Sequence, residues 1–332
     1  MISVAGTKMT RWPYLAVGVV CMLFTGIIYA WSILKAPLGE TFGWTASQLA
    51  FNFTLTMCFF CFGGMFSGVL TKRSSPKVVL IIAAILSCAG FVFTSRLTGR
   101  LVLLYFSYGI LSGLGIGMAY NVLIFSIGAW FPDKKGLCSG VLMMGFGSSA
   151  LLCGNVAGAM IAAPSMGWRS TYFIFGILMG VVLLFAAFIM RFPPQGTELP
   201  KGKKKTQGPV DFEAKDYTTI EMIKRASFWM FFIFTISIAA MGSTVISFAR
   251  DLSLSLGASV GLATTLVGVL SVCNGFGRIL CGLLFDYWGR RRTMLFTSYM
   301  AILALVVTLI AVLIKSLPLG VVSLFLIGIA YG

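Results

Sequence analysis

Long apolar runs follow one another along almost the whole chain, separated by short polar stretches rich in basic residues. Uncharged windows occupy 14–34, 46–71, 78–95, 101–129, 136–163, 170–190, 226–249, 259–285, 293–314 and 316–332, the eighth interrupted only by Arg278. A helix rises 1.5 Å per residue and the hydrocarbon layer is ~30 Å thick, so about 20 apolar residues cross it. The windows predict nine full transmembrane helices and the start of a tenth, whose run reaches Gly332 with no flanking charge to end it. That last run reads as a truncated chain, or as a helix that needs more sequence. Lys8 and Arg11 precede the first run, and no clear small-x-small cleavage site follows, so the first run is expected to stay as a helix. The pattern is that of an all-α polytopic membrane protein.

Residues 192–225 form the one long polar stretch, rich in Pro, Gly and Lys, and separate six runs from the rest. They read as a linker between an N-terminal six-helix bundle, 1–191, and a C-terminal bundle, 226–332, that holds helices seven to ten. Within the linker, Thr218-x-x-Glu221 has the form of a capping box and can open a short helix. The halves echo each other. Gly68–Lys77 and Gly282–Arg291 follow the second and eighth runs, Ser32-x-x-Lys35 and Ser247-x-x-Arg250 the first and seventh. Gly117-Met-Ala-Tyr120 and Gly328-Ile-Ala-Tyr331 lie in the fourth and tenth. These pairs are offset by about 211–215 residues, which supports two parallel six-helix repeats. About ten spans are present of an expected twelve.

Composition agrees: 58% of the 332 residues are hydrophobic and 10% charged, against about 25% charged in soluble domains. The net charge of +16 would suggest nucleic acid on a soluble surface. Loop position accounts for it instead. With the N-terminus in the cytoplasm and alternating spans, eighteen of the 25 basic residues fall on the cytoplasmic side and six outside, with Arg278 left in the membrane. This is the positive-inside bias of a plasma (inner) membrane protein, and it removes the need for a nucleic-acid partner. The linker lysines can touch anionic lipid. Trp12, Tyr14, Trp44, Trp130, Trp168, Trp229 and Trp288 sit near span ends and read as an interfacial belt. The eight cysteines all lie in apolar segments, and there is no histidine to complete a zinc site. No metal, disulfide, cofactor or enzymatic nucleophile–base pair is inferred, and a monomer is expected.

Arg278 carries the candidate chemistry. It lies about eight residues before Asp286, or ~12 Å of helix, which puts it near the bilayer middle. An ionisable group there costs roughly 2.5–3.5 kcal/mol on insertion scales. No Asp or Glu lies in the core of any span, so a substrate carboxylate would satisfy the guanidinium, bidentately if oriented. Backbone carbonyls, water or a residue after 332 are the alternative partners. Asn274 shares the Asn274-Gly-Phe-Gly-Arg278 stretch. Tyr120 can offer a hydroxyl to a substrate or simply pack, and Tyr29 and Trp31 can line a cavity or belong to the aromatic belt. In the fourth span Gly109, Gly113 and Gly117 leave one face bare for close helix packing, and Gly145 and Gly147 do so in the fifth. Asp286, Gly289, Arg290 and Arg291 form a candidate gate, where Gly289 allows a tight turn.

Together these residues resemble the major facilitator superfamily. The Gly-x-Leu-x-Asp-x-x-Gly-Arg-Arg signature is intact at Gly282–Arg291 and degraded at Gly68–Lys77, where Lys72 replaces the acid and Ser75 the glycine. The resemblance implies a two-bundle fold with an inner gate bridged by Asp286. Within the superfamily the chain is similar to the oxalate/formate antiporter family, through Tyr108–Asn121, Trp130–Gly136 leading into Gly145-Phe-Gly147, and Asn274–Arg278. That likeness implies that Arg278 binds the substrate carboxylate and that aromatics of helices one and four line the cavity. It also implies a second positive charge on an eleventh helix, which the chain stops before. The expected function is therefore transport of small carboxylates by alternating access, with antiport favoured by the lack of intramembrane Asp, Glu or His. Drug-cation efflux would usually want a buried acid. A transporter-like sensor would be supported by a large soluble domain, and none is visible.

Overall fold

The computed structural model describes residues 2–4, 7–9, 11–194, 200 and 217–332. Of 2–4, 7–9, Lys72, Lys135, Thr219, Gly282, 285–287 and Arg290 it describes only the backbone. Among these residues nine helices are long and apolar enough to cross a membrane: Trp12–Leu34, Ala46–Thr71, Pro76–Ser95, Leu101–Trp130, Gly136–Ala162, Gly167–Ile189, Ala226–Ser255, Val260–Cys281 and Arg291–Leu313. The shorter apolar helix Leu317–Tyr331 follows as the tenth. Their faces away from the bundle carry bare Phe, Leu, Ile and Val, such as Phe66, Val102, Phe188 and Leu309, which suits contact with lipid. Ahead of them, Ile2–Val4 and Thr7–Met9 pair as a short antiparallel hairpin that the apolar pattern does not announce.

Local signals set most boundaries. Thr45 and Gln48 form a reciprocal capping box before the second span. Pro76 and Pro318 stand in the first turns of the third and tenth spans, where a missing N–H costs nothing. Thr218 and Glu221 cap the short helix Thr219–Ile223, as the linker sequence suggests. The rest of the linker, 195–199 and 201–216, lies outside the described residues.

Three departures matter for the site. The first span is not uniform: its middle tightens into a 3-10 stretch at Gly26–Ala30. The fourth span widens into a π-helix at Tyr105–Ser112. The seventh helix runs on to Ser255, so Arg250 and Asp251 sit on helix rather than in a loop. Trp130, read above as a belt residue, is 1% exposed. It stacks on Tyr14 at 4.6 Å and donates its indole N–H to the Arg191 carbonyl at 2.7 Å, tying the fourth span to the first and sixth. Arg11 completes this end by gripping both Asp133 carboxylate oxygens, one at 2.7 Å, and the Trp130 carbonyl at 3.2 Å.

The glycine faces act where two backbones meet. A Cβ on Gly117 would overlap the Phe60 carbonyl, and one on Gly113 would lie 2.7 Å from the Thr56 carbonyl, so the fourth span packs backbone to backbone on the second. Gly109 continues the same face beside Asn52 and Leu55. In the fifth span Gly145 faces Val19 of the first, while a Cβ on Gly147 would lie 2.7 Å from the Ser271 carbonyl of the eighth. Through Gly147 the fifth span joins the first six spans to the helix that carries Arg278.

Candidate functional site

The eighth span, packed on the fifth, carries Arg278 into the interior between the two halves. Its guanidinium donates to the Tyr29 hydroxyl at 3.3 Å and to the Tyr120 hydroxyl at 3.4 Å. These are long, loose bonds, and both acceptors are neutral. A guanidinium has five N–H donors, so two phenols leave it only partly satisfied. Among the described residues no carboxylate pairs with it.

The tyrosines come from the first and fourth spans, and one residue of the fifth holds both. Phe146 meets the Tyr29 ring edge-on at 5.1 Å and the Tyr120 ring at 5.1 Å. Phe60 of the second span packs on Tyr120 at 5.2 Å and on Phe146 at 6.1 Å, closing a three-ring cluster. Edge-to-face contacts of this kind fix ring orientation and add about 0.5–1.5 kcal/mol each beyond burial. The 3-10 stretch ends at Ala30, so Tyr29 is presented from a local break in its helix. A side chain at Gly26 would overlap the Phe146 carbonyl. The pair Gly145 and Gly147 brings Phe146 close to two neighbouring helices at once. Its positioning role is thus a consequence of glycines that are plain in the sequence, although Phe146 itself is not singled out by type.

Asn274 lies one turn before Arg278 on the same helix. It is 1% exposed, and neither its amide nitrogen nor its oxygen has a partner among the described residues. Tyr331 is the residue that sequence reasoning passed over. It lies within electrostatic reach of Arg278 and Tyr29, and its hydroxyl is 3.5 Å from Ser243 Oγ. The repeat already pairs Tyr331 with Tyr120, and that symmetry was the available signal. The structure brings together Tyr29, Tyr120, Asn274, Arg278 and Tyr331, but not Trp31. Trp31 is fully buried, meets the Tyr108 ring at a tilt of 33° with centroids 4.6 Å apart and spends its indole N–H on the Leu49 carbonyl at 3.1 Å. The expectation that it lines the cavity is corrected accordingly: two residues beyond Tyr29, it points into the first six spans. A cavity of about 1160 Å³ opens among the seventh to tenth helices, lined by Phe231, Phe234, Cys281, Thr297 and Tyr331; of the site residues it reaches Tyr331 and not Arg278, Tyr29, Tyr120 or Asn274. Of the gate candidates, Gly289 adopts φ 78° as the turn into the ninth span, and Arg291 is exposed. The side chains of Asp286 and Arg290 lie outside the described residues.

A bundle of membrane-length helices with one cation and several phenols at its centre defines a polytopic membrane carrier. The Major Facilitator Superfamily model matches residues 11–332, and the chain belongs to that superfamily of transporters. It is 28% identical over 317 residues to the uncharacterised MFS-type transporter YhjX of Escherichia coli K12, covering 95% of this chain and 75% of that protein. It is 27% identical over 285 residues to the oxalate:formate antiporter of Oxalobacter formigenes, covering 86% of this chain and 65% of that protein. The fold matches the crystal structure of a bacterial homologue of the human lysosomal transporter Spinster with a TM-score of 0.74 at 18% identity, over 98% of this chain and 74% of that one.

Proposed function

We propose that this transporter carries small organic anions, mono- or dicarboxylates of the oxalate and formate type, by alternating access, and that it exchanges one anion for another. The observation that carries the reading is the state of Arg278: a guanidinium deep between helices, bonded among the described residues to two neutral phenols at 3.3 and 3.4 Å. A buried cation without a counter-ion is unfavourable, and a carboxylate is the anion whose planar pair of oxygens matches its fork. Tyr29 and Tyr120 hold the fork in place between visits and can turn their O–H groups to the incoming anion. The unpartnered amide of Asn274 adds a donor one turn away. The likeness to an oxalate:formate antiporter supports the same class of cargo.

Counterflow of labelled oxalate, formate and lactate in proteoliposomes tests the proposal. Wild type is expected to show saturable exchange, and Arg278→Gln to lose it. Exchange that persists unaltered in Arg278→Gln would remove that residue as the anion's partner. Absence of exchange for every carboxylate in wild type would overturn the substrate class.

A further inference from the structure

A second cation lies between the halves, away from Arg278. Lys35 ends the first span at the pole opposite the basic loops, and its side chain is only 4% exposed. Its ammonium is 2.7 Å from the carboxylate of Asp251 on the seventh helix and 4.2 Å from the centre of the Phe248 ring. At 2.7 Å this ion pair is short enough for a charge-assisted hydrogen bond. Asp251, in contrast, is 44% exposed. The pair is lopsided: the cation has left water and the anion has not. This is also the pole where the first span packs on the seventh and eighth. Trp12–Thr25 and Gly113–Trp130 pack substantially only on helices of the first six spans.

We propose that Lys35 is a second anion-binding residue, and that Asp251 stands in for the transported anion while this pole is closed. The proposal rests on the organic-anion reading above. When the halves part here, Asp251 leaves with the seventh helix and Lys35 stays on the first, stripped of its counter-ion. It lies six residues beyond Tyr29, about 9 Å along the helix from the Arg278 layer. A carboxylate arriving from this side meets Lys35 before it meets Arg278. One carboxylate thus replaces another on the same ammonium, so the cation is neutralised in both states. Phe248 adds a cation–π contact that belongs to the closed state alone.

A simple latch makes a different prediction. Lys35→Gln and Asp251→Asn break the same pair, so a latch shifts both variants the same way. An anion site shifts them in opposite directions. Half-saturation of oxalate and formate counterflow, with the anion offered at the Lys35 pole, is expected to fall about tenfold in Asp251→Asn and rise about tenfold in Lys35→Gln. The double variant is expected to follow Lys35→Gln. Equal shifts, or weaker binding in Asp251→Asn, would overturn the assignment and leave Arg278 untouched. Unaltered exchange in Arg278→Gln would instead overturn the reading of the central site. Should Asp251→Asn accumulate poorly, formate added during purification supplies the test. It is expected to raise the thermal stability of that variant by more than it raises that of Lys35→Gln, where Arg278 alone is left to hold the anion, and equal gains would overturn the proposal.

Discussion

Arg278 shows how little of a site resides in one residue. Its position in an apolar run marks it, but its geometry depends on two phenols from other helices. Arg278→Lys is therefore expected to lose most carboxylate exchange even though the charge remains, because a single ammonium cannot reproduce the planar fork. Tyr29→Phe and Tyr120→Phe each remove one acceptor and are expected to raise half-saturation by less than Arg278→Gln abolishes, read in the same counterflow assay. Arg11 and Asp133 give a prediction in stability. Hydrogen bonding from Arg11 holds the Asp133 carboxyl below its usual range. A depressed carboxyl stabilises the fold above its unfolded pKa of about 3.9, and that share disappears as pH falls through the lower folded value. Asp133→Asn is expected to cost about 1.5–3 kcal/mol at neutral pH and to flatten the acid limb of the thermal-unfolding profile in detergent.

Among the elements, the fifth span decides most. Gly145, Phe146 and Gly147 contact the first span, the two site tyrosines and the eighth span in turn. Gly147→Leu is expected to push the eighth span outward at Ser271, lowering stability by about 1–3 kcal/mol and slowing exchange, as thermal unfolding and counterflow would show. Phe146→Ala leaves the helices in place but removes the common support of Tyr29 and Tyr120. The glycine spacing was legible because a bare face needs only residue identity. The 3-10 break at Gly26–Ala30 was not, because Gly-Ile-Ile-Tyr-Ala reads as ordinary apolar helix. It is packing against the fifth span, with Gly26 on the Phe146 carbonyl, that accompanies the tighter turn there.

At the scale of the molecule, basic residues crowd one pole and apolar side chains cover the flanks. By the positive-inside rule the basic pole is expected to face the cytoplasm. In a background without the native cysteines, an impermeant maleimide applied to intact cells is expected to label Thr98→Cys and to miss Ser74→Cys until the membrane is opened. The reverse pattern would invert the topology. The halves meet through the fifth and eighth spans along their length, and through the first and seventh at the Lys35 pole. Relative motion of the halves would therefore act on Lys35 and Asp251 before it acts on Arg278.

The sequence by itself determined the number and order of the spans, the cap at Thr218, the glycine faces, the charge asymmetry and the isolation of Arg278. Each of these depends on residue type at short range or on the cost of moving charge into hydrocarbon, and neither requires knowledge of neighbours. Only the tertiary structure decided which side chains surround Arg278. It set Tyr29 and Tyr331 there and turned Trp31 away, although Tyr29 and Trp31 are two residues apart on one apolar segment. It also seated Asp251 on Lys35, two charges that the sequence assigns merely to outer loops. Such choices depend on helix rotation and on which faces interdigitate, and those follow from the packing of many helices at once.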